Sequence, residues 1–378
     1  MDSEEDDSSD PNLPIDWNAL SWSQKKRKIC QDLKLDDNPI LNADPVQKER
    51  LKERVTDHSD IWTDGLSYNA SSLPSVPFIS ARMTFDPKTG PHTPHRAAAQ
   101  VLNPIQRAGL NRKFEQWLSQ QIIKETASKW SVPIISVLKK RHPNQDQPEY
   151  CFCANLCALN NNVLRDSLLT GSVPTNLALL ESHEAYSALD LYNAFESCAL
   201  EPSSRDFFSF SAPNGQQFRY QRLPQGFCNS PTIMARVTAE LLARLPSSSR
   251  EAKTRHAPPS AAESDPIGLS DPSGSQASPT SHKAGDSHPS GAQRVYPHPR
   301  IKPMDKTPTL ENSGVLGYMD DSLLYSMTLA DHINMLQIIF HRIKEAKCRL
   351  KTLKFFLGKP EVQYLGFLIG RNGRSMIP

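Results

Sequence analysis

Val315-Leu-Gly-Tyr318-Met-Asp320-Asp321-Ser-Leu-Leu-Tyr325 is the stretch on which the reading of this 378-residue chain turns. It reads as two short apolar strands around an acidic turn. Two adjacent carboxylates on a tight turn repel each other, which is unfavourable unless a cation shares them. A divalent ion held by hard oxygen ligands removes that penalty. Alone, an Asp-Asp pair in a turn is more often a solvated hairpin tip. A third acid is needed before the pair implies chemistry.

That acid is Asp190, in the strand-like run Tyr186-Ser-Ala-Leu-Asp190-Leu191. It lies between two leucines at a strand end, where a lone Asp reads first as a cap for the following turn. Joined in space to Asp320 and Asp321, it changes meaning. Three convergent carboxylates can hold two Mg²⁺ ions for in-line phosphoryl transfer.

Working outward, Ile105, Leu110, Phe114, Trp117, Leu118 and Ile122 predict a helix over 104–126. The apolar run 132–138 predicts a strand ending in Lys139-Lys140-Arg141. Tyr150 to Leu156 predicts its hairpin partner across the loop 141–149. A helix is expected at 175–182 and a strand at 186–191. A hairpin of 206–210 with 217–222 turns at Pro213-Asn214-Gly215. Helices over 229–245 and 330–346 enclose the acidic hairpin, and 362–369 reads as one more strand. Helices on one side of an antiparallel sheet make an α+β class.

Composition divides the chain. Residues 1–100 read as an acidic N-terminal tail, short helices over 16–60 and an extended linker over 61–100. Lys25-Lys26-Arg27-Lys28 is better read as a solvated helix face than as an import signal or nucleic-acid anchor. Residues 101–378 carry the main domain. Within it, 246–310 is Ser, Pro, Gly and Ala rich with Tyr296 as its one aromatic residue, so it reads as a disordered low-complexity insert.

The net charge of +2 leaves room only for a local nucleic-acid surface. No apolar run is long enough to span a membrane, and the acidic start is unlike a secretory signal. Seven cysteines without framework spacing favour a reducing compartment, hence a cytoplasmic or nuclear location.

Four blocks in order then become specific. They are Ser187-Ala-Leu-Asp-Leu-Tyr-Asn-Ala-Phe195, Gln221-Arg-Leu-Pro-Gln-Gly-Phe-Cys-Asn-Ser-Pro231, Tyr318 to Asp321, and Val362-Gln-Tyr-Leu-Gly366. Together they resemble the reverse transcriptase of the Ty3/gypsy class of long-terminal-repeat retrotransposons, as a fragment of the pol polyprotein. The resemblance implies a right-hand polymerase fold with fingers, palm and the start of a thumb. It implies an RNA-directed DNA polymerase that joins dNTPs to a primer 3′-hydroxyl on an RNA or DNA template, in the cytoplasm (within a virus-like particle) or in the nucleus. RNase H and integrase regions, common in such polyproteins, are not in this chain.

Residue by residue, Asp190, Asp320 and Asp321 match the catalytic and metal-binding triad for two Mg²⁺, with Mn²⁺ as a substitute. Phe195 matches the steric gate against a 2′-hydroxyl, and core packing is its competing reading. Gln225 matches the residue that meets the nucleotide's sugar and base. Gly226 permits close backbone approach. Lys140 matches a triphosphate-gripping lysine, or else is a hairpin-end charge. Lys354 matches a lysine near the pyrophosphate. Lys344, Lys347, Arg349 and Lys351 read as template–primer contacts or as a solvated face.

The fingers depart from the pattern. Where the family shows W-R-F-x-x-D-Y-R-x-L-N, this chain has Tyr150-Cys151-Phe-Cys-Ala-Asn155-Leu-Cys157-Ala-Leu159-Asn160. Two arginines are replaced by cysteines, which favours a rival reading: a catalytically impaired or truncated remnant that at most binds nucleic acid. Cys151, Cys153 and Cys157 lack a fourth nearby zinc ligand and fit a strand face better. An RNA-dependent RNA polymerase would share the acids, but Phe195 argues against it.

Overall fold

The computed structural model describes residues 20–63, 73–90, 94, 96–97, 100–139, 148–166, 180, 183–242, 313–318, 321–352 and 355–376. The side chains of residues 317, 318 and 321 are outside that description. So are the acidic tail at 1–15, the insert at 246–310, Lys140, Asp320, Lys354 and, Leu180 apart, the helix expected over 175–182.

Three N-terminal helices open the described chain: α1 (Trp22–Asp32), α2 (Pro39–Ala43) and α3 (Pro45–Asp57). Each has a side-chain cap, from Ser21, Asn38 and Asp44 respectively, which satisfies amide groups that a helix start leaves bare. The basic run lies on α1, where Lys26 pairs with Glu49 and Lys28 with Asp32 at 2.7 Å. Short strands β1 (Trp62–Thr63) and β2 (Ser80–Ala81) follow in the extended segment.

Next comes α4 (Pro104–Ser119), with a capping box at Asn103 and Gln106. It is shorter than its apolar spacing predicts. Gln121 adopts a left-handed φ of 56°, which stops the helix. Ile122 and Ile123 are buried beyond that stop, and β3 (Ile123–Glu125) enters a sheet with a later strand. Ile105 and Leu118, counted in the apolar stripe, are 47% and 42% exposed. The hairpin β4 (Ile134–Leu138) and β5 (Tyr150–Ala154) forms as the alternation predicts, with Ser136 opposite Phe152. A helical turn, α5 (Cys157–Asn160), closes this part.

The centre is an antiparallel sheet in the order β10-β11-β6-β13. Its strands are β6 (Ala185–Leu189), the hairpin β10 (Ser313–Tyr318) and β11 (Asp321–Ser326), and β13 (Phe356–Lys359). Around it lie β7 (Ala199–Leu200), β8 (Ser209–Ser211), β9 (Gln217–Tyr220) and β12 (Leu350–Lys351). Helices α6 (Ser230–Leu242) and α7 (Leu329–Glu345) cover one face of the central sheet. Strand alternation separates two cores. Ala185, Leu189 and Leu324 join the large core that also holds Ile333, Leu336 and Ile339 of α7. Tyr186, Leu323 and Tyr325 point the other way, onto Val362, Tyr364 and Ile369.

Those last residues belong to a second sheet, β14 (Glu361–Tyr364), β15 (Phe367–Gly370) and β16 (Gly373–Met376). The single strand expected over 362–369 is therefore two strands and a turn. Leu365 and Gly366, at φ 49° and 84°, make the reversal; two left-handed residues suit a tight hairpin, and glycine takes the second at no steric cost.

The N-terminal helices pack into the same body. Asn38 Nδ2 donates to the carbonyls of Leu357 and Gly358 at 2.8 and 2.9 Å. Trp62 meets Phe340 and Phe355 edge-on, both with ring centroids at 5.2 Å, contacts worth about 0.5–1.5 kcal/mol each. β1 runs parallel to β12, and β2 parallel to β7.

Candidate functional site

β6 carries Asp190 to the site. In the antiparallel register, Leu189 faces Ser322 and Ala188 faces Leu323. Asp190 and Asp321 each adjoin that Leu189–Ser322 pair in sequence, at the mouth of the β10–β11 hairpin, where Tyr318 pairs with Asp321. Two of the three acids singled out by sequence are thus neighbours in backbone position. Asp320 follows one residue before Asp321 but lies outside the described residues.

Asp190 is half-buried, and its Oδ1 accepts from Lys351 Nζ at 3.1 Å. The Lys351 amide also donates to the Asp190 carbonyl at 3.2 Å. β12 is thereby fixed beside the end of β6, a placement strengthened by the bridge between Leu191 and Leu350. The Lys351 ammonium stands where a cation would sit against hard carboxylate oxygens, so the donor chemistry fits a divalent metal. Lys344, read with Lys351 as one basic cluster, pairs instead with Asp60 at 3.3 Å.

Past Asp190 the chain turns through Asn193 (φ 46°) into the 3₁₀ segment Phe195–Ser197. Phe195 is partly buried and packs on the large core. This turn lies against the Gln221–Pro231 segment. Ala199 bridges Arg222, and the Leu223 amide donates to the Cys198 carbonyl at 2.9 Å.

The Gln225–Gly226 loop is held by side chains. Asn160 Nδ2 donates to the Gly226 carbonyl at 2.9 Å, and its Oδ1 accepts from the Cys228 amide at 3.0 Å. Ser230 Oγ donates to the Pro224 carbonyl at 3.0 Å. Gly226 sits at φ 88°, so the turn itself requires glycine. The Gln225 side chain is exposed, and its Nε2 lies 3.5 Å from Glu196 Oε1. Of the cysteines in the fingers-like segment, Cys151 and Cys157 are exposed and Cys153 is half-buried on β5.

Two groups escaped the sequence reading. Glu196 is buried directly after Phe195; burial raises its pKa, opposed by its own amide, Lys113 and Lys351. A charged residue inside the otherwise uncharged run from Leu191 to Leu200 was the available signal. His332, fully buried on α7, lies 2.6 Å from Ser187 Oγ through Nε2 and 3.0 Å from Ser326 Oγ through Nδ1. Its signal was a polar residue beside Ile333 on an apolar helix face.

Known proteins resemble this chain in sequence and fold. Residues 134–256 match the family model described as reverse transcriptase (RNA-dependent DNA polymerase). The chain is 35% identical over 221 residues to the Gag-Pol polyprotein of koala retrovirus, covering 57% of this chain and 12% of that protein. It is 27% identical over 128 residues to a retrovirus-related Pol polyprotein from transposon 412 of Drosophila melanogaster, covering 34% of this chain and 10% of that protein. The chain thus spans about a tenth of the length of these relatives. Among solved structures, it is similar to a foamy viral protease-reverse transcriptase in complex with RNA/DNA hybrid. The TM-score is 0.64 at 18% identity, covering 95% of this chain and 36% of that one. A foamy viral protease-reverse transcriptase in complex with dsDNA gives 0.62, covering 95% and 56%. The fold is that of a reverse transcriptase polymerase, with β6, β10, β11 and β13 as its central sheet.

Proposed function

We propose that this chain is the fingers-and-palm part of a retroelement RNA-directed DNA polymerase of the Ty3/gypsy class. The observation that carries the reading is the β6–β11 register, whose last pair, Leu189 with Ser322, adjoins Asp190 and Asp321 in sequence, with the Lys351 ammonium on the Asp190 carboxylate. The reverse transcriptase match over 134–256 and the Pol and Gag-Pol relatives support it from outside the site.

In the proposed reaction the primer 3′-hydroxyl gives its proton to solvent, its oxygen bonds to the α-phosphorus of a dNTP, and the bond to the departing pyrophosphate breaks. Asp190, Asp320 and Asp321 would hold a divalent pair, Mg²⁺ or Mn²⁺. When bound, such a pair lowers the pKa of the hydroxyl and offsets charge on the leaving group. Lys351 would release Asp190 as that charge arrives. Phe195 would bar a ribose 2′-hydroxyl, and Gln225 would meet the sugar and base from its clamped loop. Lys140 and Lys354 would hold phosphates. Template, primer and dNTPs are the implied partners, beside RNase H and integrase regions of a longer polyprotein. The implied setting is the cytoplasm, within a virus-like particle, or the nucleus.

A second reading has its own observation. Cys151 and Cys157 stand exposed where the family carries arginines, which favours a nucleic-acid-binding remnant without turnover. Extension of oligo(dT) on poly(rA) with dTTP and Mg²⁺ separates the two. Extension is the expected result; folded, soluble protein that fails to extend under Mg²⁺ and Mn²⁺ leaves only the remnant.

A further inference from the structure

Glu196 is a buried acid that the proposed reaction does not use. It is 8% exposed, and its Oε2 is buried with no hydrogen-bond partner. Its Oε1 reaches Gln225 Nε2 at 3.5 Å, the outer limit for such a bond. Lys113 of α4 and Lys351 of β12 face it and favour its charge, yet burial dominates. A buried carboxyl with one bare oxygen is costly to the fold, and an apolar side chain of similar size would serve packing better. Stability therefore gives no account of an acid here.

The neighbouring loop does. Asn160 clamps the backbone at Gly226 and Cys228, but that clamp leaves the Gln225 side chain its rotamers. A long exposed amide loses that freedom on meeting a ligand, and restraining it beforehand strengthens binding. We propose that Glu196 is a positioning residue of the nucleotide pocket: its carboxyl holds the Gln225 carboxamide in the orientation that meets an incoming dNTP. The inference rests on the polymerase reading for what Gln225 binds.

The test uses the full chain with Glu196→Leu and Glu196→Gln. Side-chain amide NMR on ¹⁵N-glutamine-labelled protein, with the Gln225 signal assigned by its loss in Gln225→Leu, reads the contact directly. Titration with dTTP and Mg²⁺ reads its consequence. In Glu196→Leu the Gln225 signal should move and sharpen, dTTP should bind about tenfold more weakly, and Tm should hold or rise. Glu196→Gln, which keeps an acceptor oxygen, should stay near wild type. An unmoved Gln225 signal in Glu196→Leu overturns the proposal, as does unchanged dTTP affinity. Lower Tm in both variants with unchanged affinity also overturns it, by making Glu196 purely structural. Absent primer extension alongside the expected dTTP result would sink the polymerase reading and leave this one standing.

Discussion

The central β6–β11 pair and the β4–β5 hairpin are both antiparallel strand pairs, yet they are held by different means. β6 and β11 are covered on both faces, by α7 on one side and β14–β15 on the other. A buried polar chain crosses one of those faces. Ser313 Oγ donates to Ser326 Oγ at 2.9 Å, Ser326 meets His332, His332 meets Ser187, and Ser187 Oγ accepts from the Gly358 amide at 2.9 Å. That chain ties β10, β11, α7, β6 and β13 together. Along the β4–β5 hairpin, by contrast, Val137 is 49% and Leu138 62% exposed, and Cys151 is at the surface. Carboxylates that must meet at fixed separations belong on the first kind of support. The second kind tolerates change, and it carries the exposed Cys151.

The largest effect should come from the palm acid itself. Asp190→Asn keeps size and polarity but removes a charge that Lys351 and any metal would share. Loss of groups that merely orient metal ligands costs about 10–100-fold, so loss of a ligand should lower primer extension by at least about 100-fold. Tm should shift little, because the acid is half-buried and its pair partly exposed. Activity within a few-fold of wild type would break the assignment of Asp190 to the site.

Stability should separate the regions next. Ser187→Ala strips partners from His332 Nε2 and the Gly358 amide, both buried. At about 1–3 kcal/mol for each bare group, the loss should be roughly 2–6 kcal/mol by denaturant unfolding. A loss below about 0.5 kcal/mol, the usual scale for surface changes, would mean that the palm is no more tightly specified than the fingers.

His332 adds a pH signature. Burial drops its pKa to about 3, against about 6.5 in an unfolded chain. Between those values the unfolded state binds the extra proton. Stability should therefore be intact above pH 6.5 and fall as pH drops towards 3, by up to about 1.4 kcal/mol per pH unit. Wild type should lose about 2 kcal/mol more than His332→Gln between pH 6.5 and 5; parallel curves would show that the imidazole does not titrate against burial.

These supports were only partly legible in the sequence. The acids, Phe195 and Gln225 stand in contiguous blocks, so local pattern was enough to flag them. The Asp190–Lys351 and Ser187–His332 contacts join residues more than a hundred positions apart, and no periodicity encodes such a meeting. Two element boundaries failed for another reason. Ile122 continues the apolar spacing of α4, and the run 362–369 looks unbroken. Backbone reversals at Gln121 and at Leu365–Gly366 decide both, and Gln and Leu give no warning of a left-handed turn.

The smallest expected effect sharpens the comparison from the fingers side. Cys151 is exposed on β5, across the hairpin from Val137. It lines a groove with Arg112, Lys113 and Lys139, beside Glu149 and Tyr150. Lys139 is engaged with Glu149 at 2.7 Å, and Lys113 bonds Gln116 at 2.9 Å. Cys151→Arg would add an always-charged, five-donor group at the groove's edge. One charge-assisted hydrogen bond to a triphosphate is worth about 1.5–3 kcal/mol, so KM for dTTP should fall about tenfold or more with kcat nearly unchanged. Stability should move by no more than about 0.5 kcal/mol. A lowered KM would show that the fingers lost nucleotide grip while the palm kept its geometry. An unchanged KM would place β5 away from the nucleotide and remove the fingers cysteines as an argument for a decayed enzyme.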